Sequence, residues 1–366
     1  MSTPESLPVA VVGAGIGGLS AAITLRRAGF PVREYEQAPR LRELGGGIGL
    51  RPRTVRILYG WGLGDEYSRY AARFDAVHGL DGRNGHPMGD ITFPSETDDP
   101  ADNWSDSIHR ADLHNLLAAQ IPAENIQLSR KCRTVVDHGD HVEIRFADDS
   151  SELASAVIGA DGIHSVIRTL IRGRRDNAVY SGLQSYRGVL PMERVRDLLP
   201  QRLPCAWQIL ESMTMFIVMP LGKGSHVGFD ALLPVARAGE ESWRGTMARD
   251  ALVEKLLNFD PAVPEIVRRM AETEVSAFSV YDREPITQWT SNRATLLGDA
   301  AHPFLPSEGQ GANQAIQDAV VLAECLRGVE PAAIPAALRD YSDRRVPVTT
   351  EIHRMSRARH AGMMRG

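Results

Sequence analysis

The chain opens on a pattern of apolar residues and glycines that predicts a strand, a turn, a helix and a second strand. Val9–Val12 is a short apolar run of the kind that forms a fully buried parallel strand. The letters GAGIGG follow, and Leu19–Ala28 then has the apolar spacing of a helix that stops at Gly29. A second strand is expected at Val32–Glu36. This order of elements is that of a βαβ unit.

Later patterns predict further strands and a C-terminal helix. Val142–Phe146 alternates apolar and polar residues, as a half-buried strand does. More strands are expected between residues 179 and 235, including Met213–Met219, and they favour a mostly antiparallel sheet with one solvated face. Residues 334–361 favour a helix or two, and we expect Pro347 to break the helical pattern.

The composition is that of an ordinary globular protein. Of 366 residues, 43% are hydrophobic and 24% are charged, and the formal net charge is −5. That balance argues against a general nucleic-acid-binding protein, which would be strongly basic. Three cysteines, Cys132, Cys205 and Cys325, are too few and too far apart for a disulfide framework or a metal motif. A reducing, cytoplasmic location is therefore expected.

The uncharged stretch Leu7–Leu25 is long enough for a membrane span or a signal peptide, but its surroundings argue against both. Glu5 precedes it where a basic residue would be expected, and it contains Pro8 and several glycines. We therefore expect no membrane span and look to the glycines for another purpose.

The Gly-x-Gly-x-x-Gly turn has the residues that bind a dinucleotide. Gly13 permits the tight turn, Gly15 lets a pyrophosphate approach the backbone, and Gly18 lets the helix pack closely. The phosphates would then lie at the helix N-terminus. Glu36 ends the second strand, where an acid binds the ribose hydroxyls and disfavours a 2′-phosphate. The motif leaves open whether NAD or FAD is bound.

Two further segments carry an acid at the end of a predicted strand. Asp161 follows the run Val157–Ala160, and Asp299 follows Leu296–Gly298. Ligands of open α/β sheets bind beyond the carboxyl ends of the strands, so both carboxylates are placed to bind a long dinucleotide. Either acid could instead be a plain turn or helix-capping residue.

Together these motifs resemble those of the single-component FAD-dependent aromatic hydroxylases, which include para-hydroxybenzoate, salicylate and 6-hydroxynicotinate hydroxylases. The resemblance covers nearly the whole chain, including segments 108–113 and 306–313. It implies an α/β fold in which a Rossmann-like FAD-binding domain is interleaved with a mostly antiparallel β-sheet substrate domain, with a C-terminal helix. The expected boundaries are 1–75, 106–178 and 282–366 for the FAD-binding domain, and 76–105 and 179–281 for the substrate-binding domain.

The resemblance also implies which residues bind FAD. Glu36 holds the adenosine ribose, and Arg110 lies along the ribityl chain or pyrophosphate unless it is a surface arginine. Asp161 serves both FAD and the nicotinamide nucleotide, and Asp299 bonds the ribityl or phosphate region. A helix predicted from about residue 312 brings its main chain to the N1–C2=O edge of the flavin, through Gly311, Ala312 and Asn313.

The reaction implied by the resemblance is hydroxylation of an aromatic ring. NADH or NADPH reduces FAD, O2 then forms a flavin C4a-hydroperoxide, and one oxygen atom is delivered to a phenolic or heteroaromatic substrate. No metal ion or protein nucleophile is required, and the sequence carries no motif for either. The expected partners are a small aromatic molecule and O2, without nucleic acid, for a chain that is a monomer or a homodimer.

Residues near the substrate are predicted from their positions on strands and loops. The carbonyl of Pro306 faces the substrate by family analogy. His302 is either an acid/base near the ring or a structural histidine bound to backbone. Met215 lies on an apolar strand face that is either core or the wall of a hydrophobic pocket, which points away from a small charged benzoate. Further candidates are Tyr186, Arg187 and Arg51, the last of which could equally be solvated.

Two other functions are left open by the residues. The same scaffold could be an FAD-dependent oxidase or epoxidase that acts on a larger secondary metabolite. Alternatively, a chain without flavin chemistry could be an NAD-binding regulator.

Overall fold

The computed structural model describes residues 7–41, 46–92, 99–236, 245–306 and 309–363. The strands in those ranges are β1 (Val9–Val12), β2 (Val32–Tyr35), β3 (Gly47–Leu50), β4 (Ala72–Phe74), β5 (Val77–Asp81), β6 (Pro87–Ile91), β7 (Ser105–His109), β8 (Ile126–Gln127), β9 (Cys132–Asp137), β10 (Val142–Phe146), β11 (Ser151–Ala154), β12 (Ala156–Gly159), β13 (Val179–Pro191), β14 (Cys205–Ile209), β15 (Thr214–Leu221), β16 (His226–Pro234), β17 (Thr246–Ala248), β18 (Glu274–Asp282), β19 (Thr290–Ser291) and β20 (Ala294–Leu296). The helices are α1 (Ile16–Arg27), α2 (Pro52–Gly60), α3 (Gly64–Tyr67), α4 (Arg110–Ala118), α5 (Val166–Arg172), α6 (Arg249–Lys255), α7 (Ala262–Arg268), α8 (Gly311–Leu326) and α9 (Ile334–Met363).

The chain divides into two compact units that are each built from several segments. The first unit comprises residues 1–43, 114–179 and 282–357, and the second comprises 44–113, 180–281 and 358–366. By compactness, residues 44–75, 106–113 and 358–366 group with the second unit, whereas the domain prediction assigned them to the FAD-binding domain. The assignment of segments to FAD or to substrate stays a prediction.

The first unit is organised around a sheet of parallel strands in the order β20-β12-β1-β2-β8, with β19 antiparallel at one edge. The central strand β1 is buried along its whole length, which is why its sequence is continuously apolar. Helix α1 begins three residues earlier than the apolar spacing predicted, because the glycines form its first turn. It packs on α8, where Thr24 Oγ1 donates to the Ala319 carbonyl at 2.9 Å. The predicted α/β fold with its βαβ unit is confirmed.

The second unit contains a large, mostly antiparallel sheet in the order β17-β18-β13-β16-β15-β14-β5-β6. One face of this sheet carries Tyr186, Phe216 and Phe229, which lie in one apolar cluster with side chains of α6 and α7. The rings of Phe216 and Phe229 stack with their centroids 5.2 Å apart. The core of the second unit therefore lies on this face together with Tyr186, whereas Arg187 and Met215 lie on the opposite face.

Strand β15 differs from its prediction at its start. Met213 has φ of 54° and ends a short 3-10 turn, so the strand begins at Thr214. Along the strand Phe216 and Val218 are buried, whereas Met215 and Ile217 are half-buried and pack beside a small cluster of Phe74, Val77 and Ala206. The main core of the second unit thus lies on the face of β15 that carries Phe216 and Val218, and Met215 lies on the other face.

The prediction that Pro347 breaks the C-terminal helix is wrong, because α9 runs continuously through it. A proline in a helix removes one backbone hydrogen bond, but buried polar side chains hold α9 on both sides of this position. Tyr341 Oη donates to the Leu296 carbonyl at 3.0 Å, and Ser356 Oγ donates to the Leu305 carbonyl at 3.1 Å. No helix in the described ranges is long and apolar enough to cross a membrane.

Candidate active site

The glycine turn after β1 has no room for side chains at two of its positions. Gly13 has φ of 104°, and a Cβ there would overlap the carbonyl oxygen of Ala160. A Cβ on Gly18 would overlap the carbonyl oxygen of Gly13. Helix α1 then begins at Ile16 after the N-cap residue Gly15, and among the described residues it has no side-chain cap and no acid in its first turn. Its first N–H groups and the positive end of its dipole are therefore suited to a phosphate.

Glu36 binds the backbone beside this turn. One carboxylate oxygen accepts from the Ala14 N–H at 2.9 Å, and the other accepts from the Ala38 N–H at 2.7 Å. The side chain is thereby fixed at the end of β2, next to the glycine turn, where the sequence predicted a ribose contact. Its role toward the ribose stays a prediction.

His114, which the sequence did not mark as a site residue, contacts the glycine turn. Its ring is buried, and Nε2 donates to the Ala14 carbonyl at 2.8 Å. Glu36 and His114 thus hold the N–H and the C=O of the same residue. Ala14 and His114 are 100 positions apart in the sequence, so no local pattern could reveal this contact.

Asp161 lies in the turn before α5, and one of its carboxylate oxygens has no partner among the described residues. Its Oδ2 accepts from the first N–H of α5, that of Val166, at 2.7 Å, although the N-cap residue of this helix is Ser165. Its Oδ1 is buried without a hydrogen bond within the described ranges. Burial raises the pKa of the Asp161 carboxyl, against hydrogen bonds that lower it. An oxygen in this state is available for a ligand that donates a hydrogen bond.

Asp299 lies beside a second uncapped helix N-terminus. It sits in the short 3-10 turn Gly298–Ala300, and its Oδ1 is 3.7 Å from the position that a Cβ on Gly311 would take. Helix α8 begins at Gly311, and among the described residues it has no side-chain cap hydrogen bond and no acid in its first turn. Asn313 Nδ2 donates to the Gly309 carbonyl at 3.0 Å. The main chain at Ala312 is thus part of a helix end that can face negative charge.

These features fit FAD. In the described part of the first unit, two helix N-termini lack side-chain caps, one turn excludes Cβ atoms, and one carboxylate oxygen has no hydrogen-bond partner. They are the groups that phosphates and hydroxyls of a dinucleotide require. No cluster of His, Cys, Asp or Glu that could hold a metal ion occurs among the described residues.

His302 belongs to a buried charge network. Its Nε2 and Asp318 Oδ2 are 2.6 Å apart, and the other Asp318 oxygen accepts from Arg345 Nε at 2.6 Å. Burial alone would raise the pKa of Asp318, but His302 and Arg345 together lower it to about 2. The sequence offered a structural histidine bound to the backbone as one alternative for His302. In the structure the Asp318 carboxylate, and not a backbone group, holds the ring. The carbonyl of Pro306 accepts from the Gly309 N–H at 3.0 Å.

In the second unit, Arg51 and Arg110 lie at helix starts. Arg51 is only 6% exposed and its Nη1 donates to Ser105 Oγ at 3.3 Å, so the solvated interpretation of Arg51 is wrong. Arg110 begins α4, and its backbone N–H donates to the Gly46 carbonyl at 3.1 Å. Their roles toward a ligand stay predictions.

Tyr186 and Arg187 point to opposite faces of β13, as adjacent strand residues do. Tyr186 is buried in the core, and its hydroxyl donates to Gln184 Oε1 at 2.8 Å. Arg187 lies on the other face with its Nε 2.7 Å from Asp230 Oδ2. The structure therefore does not bring these two candidates together on one wall, and Arg187 shares its face with Met215.

Comparison with known proteins decides the family. The chain matches the FAD binding domain family over residues 6–356. It is 35% identical to the 3-amino-4-hydroxybenzoate 2-monooxygenase of Streptomyces cremeus, over 96% of this chain and 86% of that protein. The chain belongs to the FAD-dependent aromatic monooxygenases. This result confirms the predicted resemblance, the enzyme class and FAD as the cofactor.

Two further comparisons agree with this family. The 6-hydroxynicotinate 3-monooxygenase of Bordetella bronchiseptica is 31% identical, over 95% of this chain and 90% of that protein. The solved structure of Klebsiella pneumoniae HpxO with FAD and uric acid superposes with a TM-score of 0.83, covering 97% of this chain and 88% of that one. At 24% identity, the HpxO match supports the fold of this monooxygenase and no more.

Proposed function

We propose that this monooxygenase uses NADH or NADPH and O2 to hydroxylate a phenolic or heteroaromatic ring. The observation that carries the proposal is the identity, along nearly the whole chain, to an aminohydroxybenzoate monooxygenase. The geometry of the first unit supports it, because uncapped helix N-termini and strand-end carboxylates occur there together.

The FAD contacts that we propose follow from these groups. The turn at Gly13, Gly15 and Gly18 and the start of α1 bind the pyrophosphate. Glu36 accepts from the adenosine ribose, while the carboxylate oxygen of Asp161 that lacks a partner accepts from a ligand hydroxyl or amide. The groups assigned to the ribityl chain and the flavin edge are Arg110, Asp299, Gly311, Ala312 and Asn313.

Bound FAD would accept electrons from a nicotinamide nucleotide and activate O2, and protein side chains can do neither. The start of α8 presents N–H groups and partial positive charge, which favour negative charge at the flavin edge. His302 acts as a positioning residue, since Asp318, its partner, also accepts from the Gly298 N–H at 3.0 Å. The carbonyl of Pro306 and the half-buried face with Met215 and Arg187 are assigned to the substrate.

We further place the enzyme in the cytoplasm, as a monomer or a homodimer. The location is supported by the cysteines Cys132, Cys205 and Cys325, all of which are free. Burial raises the pKa of each of these thiols to about 12, which keeps them protonated and unreactive.

The test is a screen of phenols and heteroaromatic rings with the purified yellow enzyme. We expect one or more rings to accelerate NADH or NADPH oxidation and to be recovered with an added hydroxyl group. Oxidation of a substrate with release of H2O2 and no oxygen insertion would favour the oxidase alternative. A colourless preparation that takes up no FAD would overturn the flavin assignment altogether.

A further inference from the structure

The half-buried face of the large sheet carries one ion pair with a defined geometry. The register of β13 and β16 places Arg187 directly opposite Asp230, so both side chains lie on the same face. Arg187 Nε donates to one Asp230 oxygen at 2.7 Å, and Ser185 Oγ donates to the other at 2.6 Å. The side chains of Arg187 and Asp230 are 14% and 22% exposed. Ser185 therefore holds the Asp230 carboxylate in place, and that carboxylate in turn holds the Arg187 guanidinium.

This pairing uses only part of the guanidinium group. An arginine has five N–H donors in a planar fork, and only Nε is bound to Asp230. Within the described residues, Nη1 and Nη2 of Arg187 make no hydrogen bond. The guanidinium carbon lies 4.7 Å from the centre of the Phe278 ring, which supports one side of the plane. The remaining donors are thus held ready for an acceptor.

The surroundings of the pair on this face are apolar. Ile217 lies opposite Asp230, and Met215 and Met219 occupy the same side of β15. A Cβ on Gly46 would lie 3.8 Å from the Arg187 side chain, so the chain before β3 passes close to this arginine without placing a side chain at that point. Asp230 and Arg187 cancel each other's formal charge. Among the described residues, a ligand beside this pair therefore meets apolar side chains and the donors of Arg187 without net charge.

We propose that Arg187 determines substrate specificity by binding an uncharged acceptor, a ring carbonyl or hydroxyl oxygen, on the aromatic substrate. A carboxylate bound to the same donors would lie close to the Asp230 carboxylate and would be repelled by it. It would also lose its hydration against the neighbouring methionine and isoleucine side chains without a net positive charge in return. The substrate class that fits is an uncharged hydroxy- or oxo-heteroaromatic ring. This inference rests on the proposed function.

The experiment compares rings that differ by one carboxylate. The FAD-loaded enzyme is titrated with 2-pyridone and 6-hydroxynicotinate, and with 4-quinolone and its 2-carboxylate, following the flavin absorbance. We expect the uncharged member of each pair to bind at least about tenfold more tightly. Tighter binding of the carboxylated members would overturn the inference and leave the proposed function intact. Failure of all rings in the titration and in the oxidation screen would contradict the proposed function itself.

Two variants test the assigned roles. Asp230→Asn removes the opposing charge, so the carboxylated rings should gain about tenfold in affinity while the uncharged rings change less. Arg187→Met should weaken binding of the uncharged rings by about tenfold or more. The matched control is Asp197→Asn, which removes a carboxylate paired with Arg269 at the surface of the same unit. An unchanged preference in Asp230→Asn would contradict the role given to Asp230.

Discussion

Glu34 is an acidic residue in the middle of β2 whose carboxylate has no hydrogen bond within the described part of the chain. The side chain is fully buried, and its Oε1 lies 3.1 Å from the position that a Cβ on Gly18 would take. Burial, and secondarily the charge of Glu36, raises the pKa of Glu34 well above its usual value. The carboxyl is therefore neutral over a wide pH range and lies directly under the proposed phosphate-binding turn.

Replacing Glu34 by methionine tests this state. Because the folded-state pKa is raised, the wild type keeps its full stability below the usual pKa of 4.5 and loses stability as the pH rises above that value. Glu34→Met removes the buried carboxyl, so the free energy of unfolding of the variant should exceed that of the wild type by about 1–3 kcal/mol at pH 8. The stability of the variant should also depend less on pH than that of the wild type.

Urea unfolding at pH 5 and pH 8 measures this difference. The exposed Glu66→Met is the matched control and should change stability by less than about 0.5 kcal/mol. A Glu34→Met protein that is less stable than the wild type at pH 8 would show that the carboxyl has a stabilising partner.

At the scale of single residues, the sequence predicted where a side chain lies on its element better than it predicted which side chain it contacts. The place of Glu36 follows from the local period of a strand after a glycine turn. The pairing of Arg187 with Asp230 depends on which strands are neighbours and in what register, and that is set by the whole sheet. The burial of Glu34 likewise depends on how closely α1 approaches β2, which no local pattern reveals.

Among the elements, the turn between β1 and α1 is the one most sharply defined by its residues. The backbone of Gly13 occupies the space of a Cβ on Gly18, so the helix can approach the strand only if residue 18 has no side chain. The first N–H groups of α1 depend on that approach for their direction.

Gly18→Ala should therefore displace the start of α1 and release FAD. We expect the purified variant to retain less than about a tenth of the wild-type flavin, because the phosphate site depends on this geometry. Absorbance of the purified protein at the flavin band measures it. Gly60→Ala is the control, since a Cβ there meets no atom within 4 Å, and it should keep its flavin. Full flavin content in Gly18→Ala would contradict the proposed site.

Helix α9 is held by the network around Asp318, which the sequence did not predict. Arg345 is 3% exposed and binds Asp318 and also Gln314 Oε1, at 2.6 Å. The contacts join residues 27 and 31 positions apart, so they arise only when α8 and α9 pack together. The sequence rule that proline breaks helices failed here because tertiary contacts of this kind outweigh one lost hydrogen bond.

Arg345→Met should destabilise the protein strongly, because it leaves the Asp318 carboxylate buried with less compensation. The expected loss is about 3–5 kcal/mol in the free energy of unfolding, measured by urea at pH 7. The neighbouring Arg344→Met is the control: that side chain is 52% exposed and pairs only with Asp340 among the described residues, so the loss should stay below about 1 kcal/mol. Equal effects of the two substitutions would contradict the structural role of Asp318.

At the scale of the whole molecule, the three nucleotide motifs lie in separate segments of one compact unit. Gly13, Asp161 and Asp299 all belong to the first unit, and residues of the second unit occupy the intervals in the chain. The sequence could predict this interleaving because each motif is local and their order along the chain is visible. It could not predict which face of the large sheet is core, since Met215 and Phe216 are both apolar and only packing distinguishes them.

The central claim is that this molecule inserts oxygen from O2 into an aromatic ring. The most direct measurement is a turnover under oxygen-18 gas, with NADH or NADPH and a ring selected by the oxidation screen, followed by mass spectrometry of the product. We predict a hydroxylated ring that carries one heavy oxygen atom for each nicotinamide nucleotide oxidised. A product without heavy oxygen, or oxidation that yields only H2O2, would contradict the account.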